Sequence, residues 1–229
     1  MSSMRHTSIF YKLICVVLCA AMLVPLTACG ETRKSQREVY AMDTIMTLTA
    51  YGNNADAGLD AAESIILSMD SALDPELSTS TTYAINHAQG GSTVISGQIA
   101  RMISTAHTVY QQSEGALDLT LYPLVKRWGF VDGKYYVPTA AEISEDLSRL
   151  CFGQIVLTSF PASGSYSVSL PSYGELSFAS VAKGCAADNA IEAMRQAGVT
   201  SGIISLGGNV QTLGLKTDGT EWNVAVQDP

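Results

Sequence analysis

GALDLTLYPLVKRWGF, residues 115–130, is the most informative stretch of this 229-residue chain. Its acidic Ala-Leu-Asp step, Pro123 and Arg-Trp-Gly-Phe ending leave little room for a regular helix and predict a shaped loop. Gly115 follows a run of helical period, and its freedom at positive φ suits the close of a helix. Asp118 comes at the exit, where a carboxylate can accept from backbone N–H groups or from the hydroxyls of a ligand. Pro123 is expected to hold Tyr122 extended. Trp128 and Phe130 offer flat apolar surface, either to an aromatic ligand or to a buried corner between two elements.

Upstream, residues 98–114 place Ile99, Met102, Ile103, Ala106, Val109 and Tyr110 on one side of a helix, with Ser96 as its N-cap. Residues 58–73 form a second amphipathic helix, with Met69 as core filler. Between them, residues 74–91 lose periodicity and are rich in Ser, Thr, Asn and Gly, the mark of a long loop; such loops inside domains are often functional. Residues 44–50 alternate Met46, Leu48 and Ala50 with Thr47 and Thr49, a half-buried strand, and order is expected to begin near Tyr40.

Downstream, Thr139 and Glu142 make a capping box for a helix carried on by Ile143, Leu147 and Leu150. Strands are predicted at 154–158, 166–170, 202–206 and 210–213, the last two joined by Gly207-Gly208. Helix 179–198 begins among the small residues Ala179, Ser180, Ala182 and Gly184, which let a backbone approach a ligand. Its free N–H groups, with Lys183, suit an anion such as a pyrophosphate. No GxGxxG follows a strand, so a nicotinamide-binding Rossmann reading fails. Helices and strands alternate without regular βαβ spacing, which argues α+β in a single mixed domain.

Residues 1–28 stand apart. Arg5 and Lys12 precede an apolar run at 13–23, no acidic residue occurs before Glu31, and Leu26-Thr27-Ala28-Cys29 reads as a lipobox with Cys29 as the lipidated mature N-terminus. An ordinary secretory leader cut after Ala28, or an uncleaved anchor, are the alternatives. The organisation expected is therefore a lipoprotein signal at 1–28, a polar tether at 29–39 and a domain over 40–229, held at the extracytoplasmic face of the cell membrane. Of five cysteines, only Cys151 and Cys185 then belong to the folded part, and they can pair in an oxidising compartment or remain free. Thirteen basic residues, two of them in the leader, against 21 acidic ones leave residues 29–229 with a formal charge of −10. Such a surface repels polyanions, so nucleic acid is excluded as a partner.

Residues 115–130 resemble the FAD:protein FMN transferases of the ApbE type, whose members carry Gly-Ala-Phe-Asp, then Thr, Pro-Leu and Trp-Gly-Phe at this spacing. Met42-Asp43-Thr44, Val181-Ala182-Lys183-Gly184 with Asp188, and Leu206-Gly207-Gly208-Asn209 follow in the family's order. Four weak motifs in sequence are together specific, and they span most of the chain from about Tyr40.

The resemblance implies Mg²⁺-dependent transfer of FMN from FAD to a threonine hydroxyl of a partner flavoprotein, with release of AMP. An FAD pyrophosphatase, or a lipid-anchored FAD-binding protein without catalysis, are the rival readings. It implies nucleotide contacts from Met42, Ala116, Leu117, Asp118 and Lys183, tuning of transfer against hydrolysis by Asn86, and a metal contact from the Ser180 carbonyl. Ser177 stands where the family has an Asp that helps hold the flavin nucleotide. Residues 222–229 resemble the family's strand before its last third, and the family's Thr-Ser-Gly and His-Ile-Asp-Pro-x-Thr-Gly segments, whose Asp and Thr complete the metal site, do not follow, so a fragment is expected.

Overall fold

Two β-hairpins laid side by side make the main sheet. The first pairs β1 (Lys34–Ala41) with β2 (Thr44–Tyr51); the second pairs β6 (Ser201–Leu206) with β7 (Asn209–Leu213). β2 and β6 join them antiparallel, from Met46 opposite Leu206 to Tyr51 opposite Ser201, giving the order β1-β2-β6-β7. The structure is a computed structural model describing residues 33–226; the expected leader, Cys29 and the last three residues lie outside it. All pairings are antiparallel, as expected of an α+β rather than a doubly wound chain.

Alternation in β2 buries Met46, Leu48 and Ala50. They share a core with Leu59, Ala62, Ile66 and Met69 of α1 (Ala55–Leu73) and with Ala186, Ala190 and Met194 of α6 (Ala179–Gln196). Gly58 of α1 lets the chain just past α6 come close: a Cβ there would collide with the Val199 methyl.

A smaller sheet, β3 (Ser92–Ile95), β5 (Ser165–Ser169) and β4 (Val156–Phe160), is ordered β3-β5-β4. α3 (Gly97–Gln112) is capped by Ser96, whose hydroxyl accepts the Ile99 N–H, and its exit runs through Glu114 and Gly115 at positive φ. Cys151 and Cys185 are both free thiols, the first buried, so they do not pair; burial pushes both up from the usual thiol range.

Four expectations are corrected. The tether predicted over 29–39 is a strand from Lys34, and order begins before Tyr40. Its inward side near the start carries Ser35 and Arg37 rather than apolar residues, because Arg37 reaches Asp60 and Glu63 of α1 at 2.6 Å each; this hid the period of two. The loop predicted over 74–91 contains a short helix, α2 (Thr81–Asn86), whose N-cap Ser80 accepts the Tyr83 N–H at 2.9 Å.

The shaped loop predicted in 115–130 holds a 3-10 turn (Leu119–Leu121) and a helix, α4 (Tyr122–Arg127). Tyr122 is helical (φ −56°, ψ −40°) rather than extended: Pro123 sits in the first turn, where its missing N–H had no partner to lose. Finally, residues 222–226 form no strand. Trp222 rests against Tyr51 with ring centres 6.1 Å apart, but Val224 and Val226 are 50% and 93% exposed, so no face is buried to fix a pairing.

The capping box forms as predicted on α5 (Ala140–Leu147), between the Thr139 hydroxyl and Glu142. That helix is tied to α4 by Arg127, which grips the buried Asp146 with Nε and with Nη2 at 2.8 Å. The Arg127 guanidinium holds the Asp146 carboxyl below its usual range. A carboxyl whose folded pKa is depressed stabilises the fold at pH values above its unfolded pKa and loses that contribution as pH falls through the folded one. Stability is therefore expected to decline between about pH 5 and pH 2. Asp146→Asn should be less stable at pH 7 and show a shallower acid limb, read by thermal melts across that range; parallel limbs would refute the linkage.

Candidate functional site

The sheet end carrying both hairpin tips holds a cleft of about 430 Å³, lined by Met42, Asp43, Asp70, Asp74, Ser177 and Lys183 among others. Met42 and Asp43 are the two central residues of the β1–β2 turn and both are left-handed, at φ 50° and 57°. That is the type I′ geometry which a two-residue hairpin prefers and which Asn-Gly normally supplies. Met and Asp hold it under strain, of order 1 kcal/mol or more per residue. The Asp70 carboxylate on α1 takes the Met42 N–H at 2.8 Å and pins the turn.

The second tip, Gly207-Gly208, has φ 58° and 90°. A Cβ at Gly207 would lie 2.8 Å from Thr44 Cγ2 and 3.1 Å from Lys183 Cε, so the glycine lets the two tips and the lysine meet. Lys183 reaches the cleft from α6. Lys126 pairs with Glu175 and Lys134 with Asp132, whereas Lys183 is in none of the ion pairs among the described residues. At the helix entry, the Ser177 hydroxyl accepts the Ala179 N–H at 3.2 Å, and the Phe178 carbonyl accepts from Val181 and Ala182.

Met42, Ser177 and Lys183 thus share one cleft, while other predicted contacts lie elsewhere. The Ala116 and Leu117 N–H groups are both taken by Ser113, through its carbonyl at 3.1 Å and its hydroxyl at 3.3 Å. Asp118 is buried, and its Oδ1 accepts the Thr120 N–H at 2.7 Å and the Thr120 hydroxyl at 2.6 Å. Thr120 in turn accepts the Cys151 N–H at 2.9 Å, so the carboxylate organises its own turn.

Asn86 is likewise committed. Its amide donates to the Leu176 carbonyl at 2.9 Å and accepts the Leu176 N–H at 2.8 Å, clamping the residue before Ser177. Trp128 and Phe130 stack on each other with centres 6.3 Å apart, and Phe130 is exposed rather than part of a buried corner. Asp70 and Asp74 were not anticipated; their one trace in the sequence is that they flank the point where α1 loses its period.

No three His, Cys, Asp or Glu side chains among the described residues come together as candidate ligands. Ser180 lies inside α6, where its carbonyl belongs to the helical ladder and is directed at the N–H of Gly184 rather than into the cleft.

The profile of the ApbE family matches residues 42–229, from the strained turn onward. The chain belongs to the ApbE family. It is 26% identical over 231 residues to an FAD:protein FMN transferase of Salmonella typhimurium, covering 94% of this chain and 65% of that protein. A Klebsiella pneumoniae FAD:protein FMN transferase is 33% identical over 147 residues, 63% of this chain and 43% of that one. Among solved structures, the ApbE protein of Thermotoga maritima superposes with a TM-score of 0.76 at 19% identity over 86% of this chain and 64% of that one. The apo flavinyl transferase ApbE of Pseudomonas stutzeri gives 0.75 at 23% identity over 87% and 64%. Identities this low establish the ApbE fold and no more. The chain spans about two thirds of the length of these full-coverage relatives.

The strained turn gives opposite signs for two substitutions. Asp43→Gly should stabilise the ApbE chain by about 0.5–1 kcal/mol by relieving the left-handed residue. Asp70→Ala should destabilise it by about 1 kcal/mol or more, since the Met42 N–H loses its acceptor. Urea unfolding midpoints check both, and a destabilising Asp43→Gly would refute the strain.

Proposed function

We propose that this chain forms the nucleotide-binding part of an FAD:protein FMN transferase. The observation that carries the reading is the cleft where the Met42-Asp43 turn, the entry of α6 and an ion-pair-free Lys183 converge. It is supported by membership of a family whose matched relatives carry that name.

The pyrophosphate of FAD belongs beside Lys183 near the start of α6, where the ammonium and the helix dipole favour negative charge although the Ala179, Val181 and Ala182 N–H groups already have partners. Asp43, Asp70 and Asp74 also line the cleft, so beyond the reach of Lys183 further phosphates are disfavoured and hydroxyls of the ribose or ribityl chain suit it better. In the reaction, the threonine hydroxyl of the acceptor flavoprotein attacks the phosphorus on the FMN side. Its O–P bond forms, the bridging P–O bond breaks, AMP leaves with the bridging oxygen, and the hydroxyl proton passes to a base. Mg²⁺ belongs to the reading through the phosphate oxygens it would share with substrate and one or two carboxylates of the cleft.

Lys183→Met should weaken FAD binding about tenfold, or ~1.4 kcal/mol, with a near-unchanged melting temperature. Flavin fluorescence titration, with ADP as competitor, measures it; equal affinities would remove Lys183 from the site. Incubation with FAD, with and without a threonine-bearing acceptor and with and without EDTA, separates transfer from hydrolysis by covalent flavin against free FMN.

The same reading puts the protein on the outer face of a membrane through a lipid on Cys29. It is supported by the Leu-Thr-Ala-Cys step after the apolar run. No helix among the described residues is long and apolar enough to cross a membrane. A palmitate analogue should label the wild type and not Cys29→Ala; label retained by the variant would sink the lipobox.

A further inference from the structure

The cleft has two walls of separate origin. One is Asp74-Pro75, where the chain leaves α1; the other is Ser177 and Ala179, where it enters α6. Residues 119–122 are bonded to both walls without lining the cleft. The Leu119 carbonyl accepts the Ser177 N–H at 3.0 Å. Three residues on, the Tyr122 hydroxyl donates to Glu76 Oε1, next to Pro75.

The segment between these two points is stiff. Asp118 takes both the N–H and the hydroxyl of Thr120, and the Thr120 oxygen takes the Cys151 N–H, so the 3-10 turn is held to the core. The Tyr122 ring is 3% exposed, with the Lys126 ammonium 5.1 Å above its centre. On the far wall, the Asp74 carboxylate takes the Glu76 N–H at 2.8 Å and its carbonyl takes the Ser80 hydroxyl, so a force on Glu76 moves the wall as a unit.

We infer that residues 119–122 form a strut that sets the width of the cleft, with Tyr122 a positioning residue that acts through Glu76. For its ligand this rests on the nucleotide reading above; for its geometry it does not. Burial alone would require Tyr122 to fill space, which phenylalanine also does. A strut requires the hydroxyl, and it requires an acceptor at position 76 whether or not that acceptor is charged.

Two measurements test this on protein verified as folded by circular dichroism. The first is the distance between spin labels at Leu77→Cys and Ala179→Cys, in a background in which the partly accessible Cys185 is serine. Tyr122→Phe and Glu76→Ala should broaden or shift the distribution, and Glu76→Gln, which keeps an acceptor oxygen, should not. The second is FAD affinity by flavin fluorescence: Tyr122→Phe and Glu76→Ala each about tenfold weaker, Glu76→Gln within twofold of wild type, and the double variant no weaker than either single one. An unchanged distance distribution in Tyr122→Phe overturns the strut whatever happens to FAD. Additive losses in the double variant overturn it too. A widened cleft in a protein whose wild type binds neither FAD nor ADP upholds the strut and overturns the nucleotide reading instead.

Discussion

The pairing of β2 with β6 is the constraint on which the rest depends. Each hairpin has a two-residue tip, and the antiparallel register Met46 to Leu206 brings both tips to the same end of the sheet. Shifted by one residue, the pairing would turn Met46, Leu48 and Ala50 out of the core and carry the Gly207 tip away from Thr44. Because Met46, Leu48, Ile204 and Leu206 are all fully buried, that slip is strongly opposed. The apolar pattern of two central strands thereby fixes where a turn, a glycine and a lysine from three distant parts of the chain come together.

What was legible in the sequence follows from whether a signal is local. The alternation of β2, the apolar stripe of α1, the Ser96 cap, the Thr139–Glu142 capping box and the Gly-Gly tip are each written within one element, and each appears where its residues predict. β1 was not legible because Arg37 faces inward, an arrangement that holds only with Asp60 and Glu63 on another element to receive it. The Met42-Asp43 turn lacks the Asn-Gly signature because its conformation is imposed by hairpin register and by Asp70, both remote in sequence.

The residues of 115–130 illustrate the difference between a recognisable motif and a contact. Their side chains and N–H groups are spent on each other and on neighbouring backbone: Ser113 on Ala116 and Leu117, Asp118 on Thr120, Leu119 on Ser177, Tyr122 on Glu76. Asn86 does the same for Leu176. Sequence resemblance marks which residues matter together and is silent on whether they touch a ligand or hold what does. Here Met42, Ser177 and Lys183 line the cleft, while Ala116, Leu117, Asp118 and Asn86 make hydrogen bonds within the chain.

The charge inside the cleft then sharpens what it can accept. Asp43, Asp70 and Asp74 stand against Lys183 alone, in a protein whose residues 29–229 already carry −10. A free polyphosphate would meet a repulsive field on approach and find one compensating charge. Two of the carboxylates are partly occupied, Asp70 by the Met42 N–H and Asp74 by the Glu76 N–H, which lowers their appetite for further donors without removing their charge. The ligand best matched is therefore one with its phosphates concentrated at one point and neutral, hydroxyl-bearing groups extending from it. The FAD of the proposed function has that distribution, with its two phosphates at the centre and sugar hydroxyls on either side.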